Sequence, residues 1–186
     1  MERRNPWKTL NSRVVYENPW VRLREDEVIR PDGNSGIYSV LEVPLSIGVV
    51  ALNDRDEIPI VGQWRYAHKK FSWEIPTGGS NKEDKTTLDA AKRELTEETG
   101  LVAETWISLG SIDNSNSATT EVANLFLATN LTLKERHQEP DEKIEVIWID
   151  FSKAVEMVMR NEITESCSVA GILKVERLRS SYSFKK

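Results

Sequence analysis

Cysteine is almost missing from this chain. Its 186 residues hold one, Cys167, which excludes an internal disulfide framework and fits a reducing compartment. We read that cysteine as a small buried hydrophobe. No apolar run approaches the roughly 20 residues that a membrane-spanning helix needs. The opening Met-Glu-Arg-Arg-Asn-Pro has no apolar core of the kind a secretory leader carries. An excess of basic charge is missing too: 25 Lys and Arg stand against 30 Asp and Glu, a net charge of −5. This balance argues against a general nucleic-acid footprint and against a polybasic membrane anchor. A cytoplasmic protein with no nucleic-acid or membrane partner is therefore expected. If its substrate is anionic, local cations or a metal must admit it. Internal repeats and low-complexity linkers are likewise not seen.

What is present suits one domain with a small appendage. Hydrophobic residues make up 39% of the chain, and the tryptophans among them add large apolar surfaces, enough for a packed core. Arg13 to Arg30 alternates as two strands broken at Asn18-Pro19, Pro31-Asp32-Gly33-Asn34 is a turn signal, and Gly36 to Val43 returns as a strand. Residues 1–44 are thus expected to form a small antiparallel β unit. Ser46 to Asn53 is a nearly continuous apolar run, the pattern of a central strand buried on both faces. Further strands are expected at Ile58–Tyr66, Thr105–Ser111, Ala123–Ala128 and Ile144–Ile149. Asp113 to Ser117 is a polar loop, and Glu135 to Lys143 is too charged to pack. Ser152 is expected to cap a helix through Met159, and Thr164 or Ser166 to start a last one. The fold expected over 45–186 is α/β, a mixed sheet between an acidic helix and the C-terminal helices.

That acidic helix lies in the stretch from Trp73 to Leu101, which parses as strand, glycine loop, helix. Pro76 ends the strand because it has no N–H to donate. Gly78 and Gly79 permit a tight path. Thr86 or Thr87 can cap a helix whose Leu88, Ala91 and Leu95 recur at helical spacing, and Gly100 can stop it. Glu94, Glu97 and Glu98 fall in its last two turns, where the helix dipole favours cations. Each like-charged neighbour pair costs about 0.2–0.5 kcal/mol. Lys92 and Arg93 offset part of this, and Arg93 stands four residues before Glu97. Three carboxylates on one face beside a glycine loop with free carbonyls make an oxygen-rich site for a hard divalent cation.

The run Arg93-Glu94-Leu95-Thr96-Glu97-Glu98-Thr99-Gly100-Leu101 resembles the second half of the Nudix hydrolase signature, G-x5-E-x7-R-E-U-x-E-E-x-G-U, at every fixed position. The upstream Trp-Glu-Ile-Pro-Thr-Gly-Gly extends the likeness. The first half departs: counted back from Arg93, the glutamate position holds Lys85, and counted forward from Gly78 it holds Asp84, with one extra residue in the loop. The resemblance implies a Nudix-type α/β/α sandwich and hydrolysis of a nucleoside diphosphate linked to another moiety. It implies Mg²⁺, with Mn²⁺ able to substitute, held by Glu94 and Glu98, with Glu97 in or near the shell and a carbonyl from Thr77 or Gly78. Arg93 would orient the cluster. Catalytic roles fall to Glu97, Arg93 and Glu142, the last as proton acceptor, with Glu139 and Asp141 as rivals.

The front β unit, Gln63-Trp64-Arg65 followed by Trp73-Glu74, and the closing Glu162-Ile163-Thr164-Glu165-Ser166 are similar to the ADP-ribose and nucleoside diphosphate sugar branch of that family. Arg65, Trp73, Glu74 and Trp20 are the substrate-binding candidates, beside Trp64. Enzymes of the branch often carry a proline about sixteen residues past the box. Here none occurs between Pro76 and Pro140, so a broader nucleotide-sugar range is expected, GDP-mannose type included. The resemblance also implies a homodimer joined through residues 1–44, with Trp20 contributed in trans. A nucleoside triphosphatase would not need the long front section. A regulator that kept the fold and lost the chemistry is the alternative, and Lys85 is its best support.

Overall fold

The computed structural model describes residues 4–134 and 144–181. It divides into two compact units: the chain up to Pro44 together with Asp113–Glu121, and Leu45–Ile112 together with the chain from Val122 onward. Among the described residues no helix is long and apolar enough to cross a membrane.

The first unit is an antiparallel sheet of β1 (Lys8–Glu17), β2 (Arg22–Ile29) and β3 (Ser35–Glu42) in that order. The break at Asn18-Pro19 is an Asx turn, in which Asn18 Oδ1 accepts from the N–H groups of Trp20 and Val21, both at 2.9 Å. Gly33, at φ 84°, makes the turn between β2 and β3. Asp113–Glu121 joins this unit rather than standing as a separate loop. Leu41 exchanges backbone hydrogen bonds with Ala118 and Thr120, and the Tyr38 hydroxyl donates to the Ser117 carbonyl at 2.6 Å. Every residue of β1 is exposed, Leu10, Val14, Val15 and Tyr16 included.

The second unit runs β4 (Ser46–Ala51), β5 (Glu57–Arg65), β6 (Lys70–Glu74), β7 (Thr77–Gly79), α1 (Thr87–Thr99), β8 (Leu101–Asp113), β9 (Val122–Leu133), β10 (Glu145–Asp150), α2 (Phe151–Met159) and α3 (Ser166–Ser181). A mixed sheet has the order β7-β4-β9-β8, with β4 parallel to β9 and antiparallel to β7. A second, antiparallel sheet has the order β10-β5-β6. The apolar run of β4 is buried on both faces as its composition requires. Ile47, Val49 and Ala51 pack with Ala90, Ala91 and Leu95 of α1. On the other face Val50 joins Ile58, Ile60 and Ile75 against Phe151, Ala154, Ile172 and Val175. A Cβ on Gly48 would come within 3.1 Å of Cys167 Cβ, so β4 lies hard against α3, and Cys167 is buried and free of any disulfide. The acidic helix and the C-terminal helices therefore cover opposite sides of the sheet, the expected α/β/α arrangement.

Two local expectations change. Gly78 and Gly79 are the end of strand β7, with Ile47 opposite Gly78 and Ser46 opposite Gly79. Pairing with β4 supplies the order that glycine's own weak strand preference does not. The cap of α2 is Asp150, without a side-chain cap bond, and Ser152 sits inside the first turn.

Candidate active site

Helix α1 is set by its two ends. Thr86, in extended conformation, accepts the Asp89 N–H on its hydroxyl at 3.1 Å, and Gly100, at φ 73°, returns its N–H to the Thr96 carbonyl at 2.8 Å. Between them the apolar face fixes the rotation of the helix. That rotation buries the side chains of Glu94 and Glu98, 8% and 5% exposed, and leaves Glu97 more open.

Buried carboxylates need partners. Arg93 donates through Nη1 to Glu94 at 2.8 Å and to Glu97 at 2.7 Å. Its Nη2 donates to the Gly79 carbonyl at 2.8 Å and to Asp84 at 3.0 Å, and its Nε to the other Asp84 oxygen at 3.3 Å. Burial works against the charged guanidinium, but the hydrogen bonds to Asp84, Glu97 and Glu94 and the Glu94 charge outweigh it, so its pKa is raised further above the ordinary arginine value. Glu98 accepts the Thr77 N–H at 2.9 Å. A Cβ on Gly78 would overlap the Glu94 carboxyl, so the backbone of β7 lies directly against that group. One arginine thus ties the loop after β7 to two of the three helix carboxylates, and β7 itself holds the third.

The irregular loop finds its acid in Asp84. Counting forward from Gly78 points to this residue, and the structure pairs it with Arg93. The Arg93 hydrogen bond holds the Asp84 carboxyl below its ordinary pKa against the opposing effect of burial, with help from the Asn81 N–H and the Arg93 charge. A depressed folded-state pKa adds stability above the unfolded value, about 3.9 for Asp, and that stability is lost as pH falls through the folded value. Asp84→Asn is therefore expected to lower Tm near neutral pH, with the gap to wild type closing below about pH 4. A gap that stays constant down to about pH 2 would contradict this assignment.

The donor set suits a hard divalent cation. Among the described residues no three His, Cys, Asp or Glu side chains converge into a ready cage. Magnesium does not ask for one, because it takes one or two carboxylates and fills its octahedron with water and substrate phosphate. Glu94 and Glu98 are two buried oxygen donors one helical turn apart, with Glu97 beside them and the β7 backbone at Gly78 against Glu94.

Of the substrate candidates, Arg65 and Glu74 form one unit. Arg65 donates through Nε at 2.9 Å and through Nη2 to the two oxygens of Glu74, which is 1% exposed. That hydrogen bonding raises the Arg65 pKa against burial, and the charges of Glu74, Glu98 and Glu165 add to it. Trp73 is half-buried, edge-on to Phe71 at 5.2 Å, and packs on the core. Trp64 and Trp20 are exposed, Trp20 in the first unit. Glu142 and its rivals Glu139 and Asp141 lie outside the described residues. A cavity of about 480 Å³ opens beside Arg93 and Glu97, lined also by Lys92, Trp106 and Lys134.

Comparison with known proteins bears on this arrangement. A family model described as the NUDIX domain matches residues 43–166, and one described as the nucleoside diphosphate sugar hydrolase N-terminal domain matches residues 7–41. The chain is 30% identical to an ADP-ribose pyrophosphatase of Mycobacterium tuberculosis over 95% of its own length and 86% of that protein's. It is 28% identical to a methanol dehydrogenase activator of Bacillus methanolicus, over 89% and 90% of the two chains. An ADP-ribose pyrophosphatase of Bacillus subtilis is 27% identical over 86% of each. The crystal structure of an ADP compounds hydrolase superposes with a TM-score of 0.84 at 15% identity, covering 97% of this chain and 98% of that one, a likeness of fold.

Proposed function

The chain belongs to the Nudix hydrolase family, and on that premise we propose that it hydrolyses the pyrophosphate bond of nucleoside diphosphate sugars, ADP-ribose among them, with a divalent metal. The products are a nucleoside monophosphate and a sugar phosphate. The observation that carries the reading is the pair of buried carboxylates, Glu94 and Glu98, on one face of α1. An apolar helix face has no structural need of such a pair, and folding around it costs energy that a cation recovers.

In this reading Glu94 and Glu98 hold Mg²⁺, or Mn²⁺ in its place, with Glu97 and the Gly78 carbonyl completing the protein's share. Bound there, the ion would supply a water of lowered pKa and stabilise the charge leaving with the phosphate. Arg93, donating to both Glu94 and Glu97, orients the cluster. Glu142 is the group assigned to take the proton from the attacking water, with Glu97 catalytic through its place in or near the metal shell. The Arg65–Glu74 pair and Trp73 position the substrate. The exposed apolar residues of β1 support a homodimer formed through the N-terminal unit, with Trp20 contributed by the second copy. The single, buried, unbridged cysteine supports a cytoplasmic setting.

A regulator that binds a nucleotide sugar without turnover is the second reading. It is favoured by the likeness to the methanol dehydrogenase activator. Incubation with ADP-ribose, GDP-mannose and Mg²⁺ decides between them. Release of a nucleoside monophosphate and a sugar phosphate above a Glu98→Gln control is the expected result. Tight binding in a calorimeter with no product would establish the second reading instead.

A further inference from the structure

The segment Glu74–Thr77 joins β6 to β7 and is fastened at every residue. Glu74 takes the Arg65 fork. The Ile75 N–H donates to Ser168 Oγ at 2.9 Å. The Pro76 carbonyl accepts the Val49 N–H at 2.9 Å. The Thr77 N–H donates to Glu98 at 2.9 Å, and its hydroxyl to the Ile47 carbonyl at 2.7 Å. The anchors at Glu74, Pro76 and Thr77 come from the sheets and from α1. The anchor at Ile75 comes from the first turn of α3, 93 residues along the chain.

Ser168 is 0% exposed. Its single hydroxyl proton goes to Glu165 Oε2 at 2.7 Å, which leaves its oxygen to accept from Ile75. The Glu165 carboxylate also takes the N–H groups of Ser168 at 2.7 Å and Cys167 at 2.8 Å, so it caps α3 where the helix dipole favours an anion. Glu165 is locked by the helix end, Ser168 by Glu165, and Ile75 by Ser168. The direction of every proton in this chain is fixed.

We propose that Ser168 and Glu165 are positioning residues of the metal site: by holding the Ile75 N–H they set the path of Pro76 to Gly78, and so the place where Thr77 holds Glu98 and where Gly78 abuts Glu94. Neither touches the reacting atoms. The inference rests on the metal reading of Glu94 and Glu98 given above. Loss of the anchor frees the segment in its middle, and the two ligands lose their common reference.

The test is Mn²⁺ titration of the purified protein without substrate, by electron paramagnetic resonance or calorimetry. Ser168→Ala is expected to weaken Mn²⁺ binding about tenfold, the scale on which supports of metal ligands act. Val175→Ala, in the same helix and equally buried, is the control: it lowers Tm but leaves Mn²⁺ affinity within about twofold, because it touches no part of the relay. Should Ser168→Ala fail to fold, Glu165→Gln, on a half-buried side chain, carries the same comparison, with a smaller loss because the amide oxygen still accepts. Wild-type affinity in the relay variants, or an equal loss in Val175→Ala, overturns the proposal. A wild type that binds no Mn²⁺ overturns the metal reading itself, and this inference with it.

Discussion

Glu98→Gln is expected to lower kcat about a thousandfold while leaving the fold in place. The substitution keeps the side-chain volume and keeps an oxygen for the Thr77 N–H, which Glu98 accepts at 2.9 Å. Only the charge is removed, from a position 5% exposed. A bound divalent ion is worth several kcal/mol of transition-state stabilisation, and about 4 kcal/mol corresponds to that rate loss. The same change relieves like-charge repulsion with Glu94 on the helix. It also gives up the attraction between Glu98 and Arg65, so metal-free Glu98→Gln should melt close to metal-free wild type, and the rise in Tm that Mg²⁺ gives the wild type should vanish. Steady-state kinetics on ADP-ribose with thermal melts in EDTA and in Mg²⁺ read both effects. Full kcat in the variant would remove Glu98 from the chemistry.

Gly78→Ala carries the second large effect, and Gly79→Ala sets its scale. A methyl on Gly78 lands on the Glu94 carboxyl, whereas a methyl on Gly79 meets nothing within 4 Å. The helix holds Glu94 at its backbone and Arg93 holds it at its oxygen, at 2.8 Å. The new methyl must therefore push the carboxylate off that arginine or part β7 from β4. Overpacking of this kind costs about 1–3 kcal/mol of stability. The functional loss is expected to be larger, about a hundredfold in kcat, because a displaced ligand is a misplaced metal. Gly79→Ala should stay within about twofold of wild type. Equal activity of the two variants would mean that the contact at Gly78 is incidental.

The parts of this molecule that were legible in its sequence are those governed by near neighbours. The ends of α1 followed from Thr86 and Gly100, because caps act over three or four residues. The double-sided burial of β4 followed from its unbroken apolar run. The parts that stayed hidden depend on distant partners. Gly78 and Gly79 carry no strand signal and become one only against β4. Asp84 was one of two ways to count the box, and Arg93, nine residues on, settles which acid faces the cluster. Glu165 stood in the sequence only as a member of the closing Glu162 to Ser166 stretch that resembles the nucleotide-sugar branch. Its work as cap, and its tie through Ser168 to Ile75, require α3 to be folded against the segment between β6 and β7. The Arg65–Glu74 pair was named residue by residue, but not as a pair. Its two members meet only when β5 and β6 form their hairpin.

Helix α1 passes into β8 with Gly100 alone between them, and that junction governs where this family member can change length. A residue added within the helix would swing its carboxylates by about 100° away from the strand that receives them. The left-handed turn at Gly100 has no slack to absorb the change, because Leu101 is already in the sheet. On the other side of the helix, the stretch between Gly79 and Thr86 is largely exposed and outside regular structure. A change of length is thus expected to be tolerated on that side of the helix and not at Gly100. Counted forward from Gly78, the extra residue before Arg93 falls in this exposed stretch, and Asp84 still reaches the arginine.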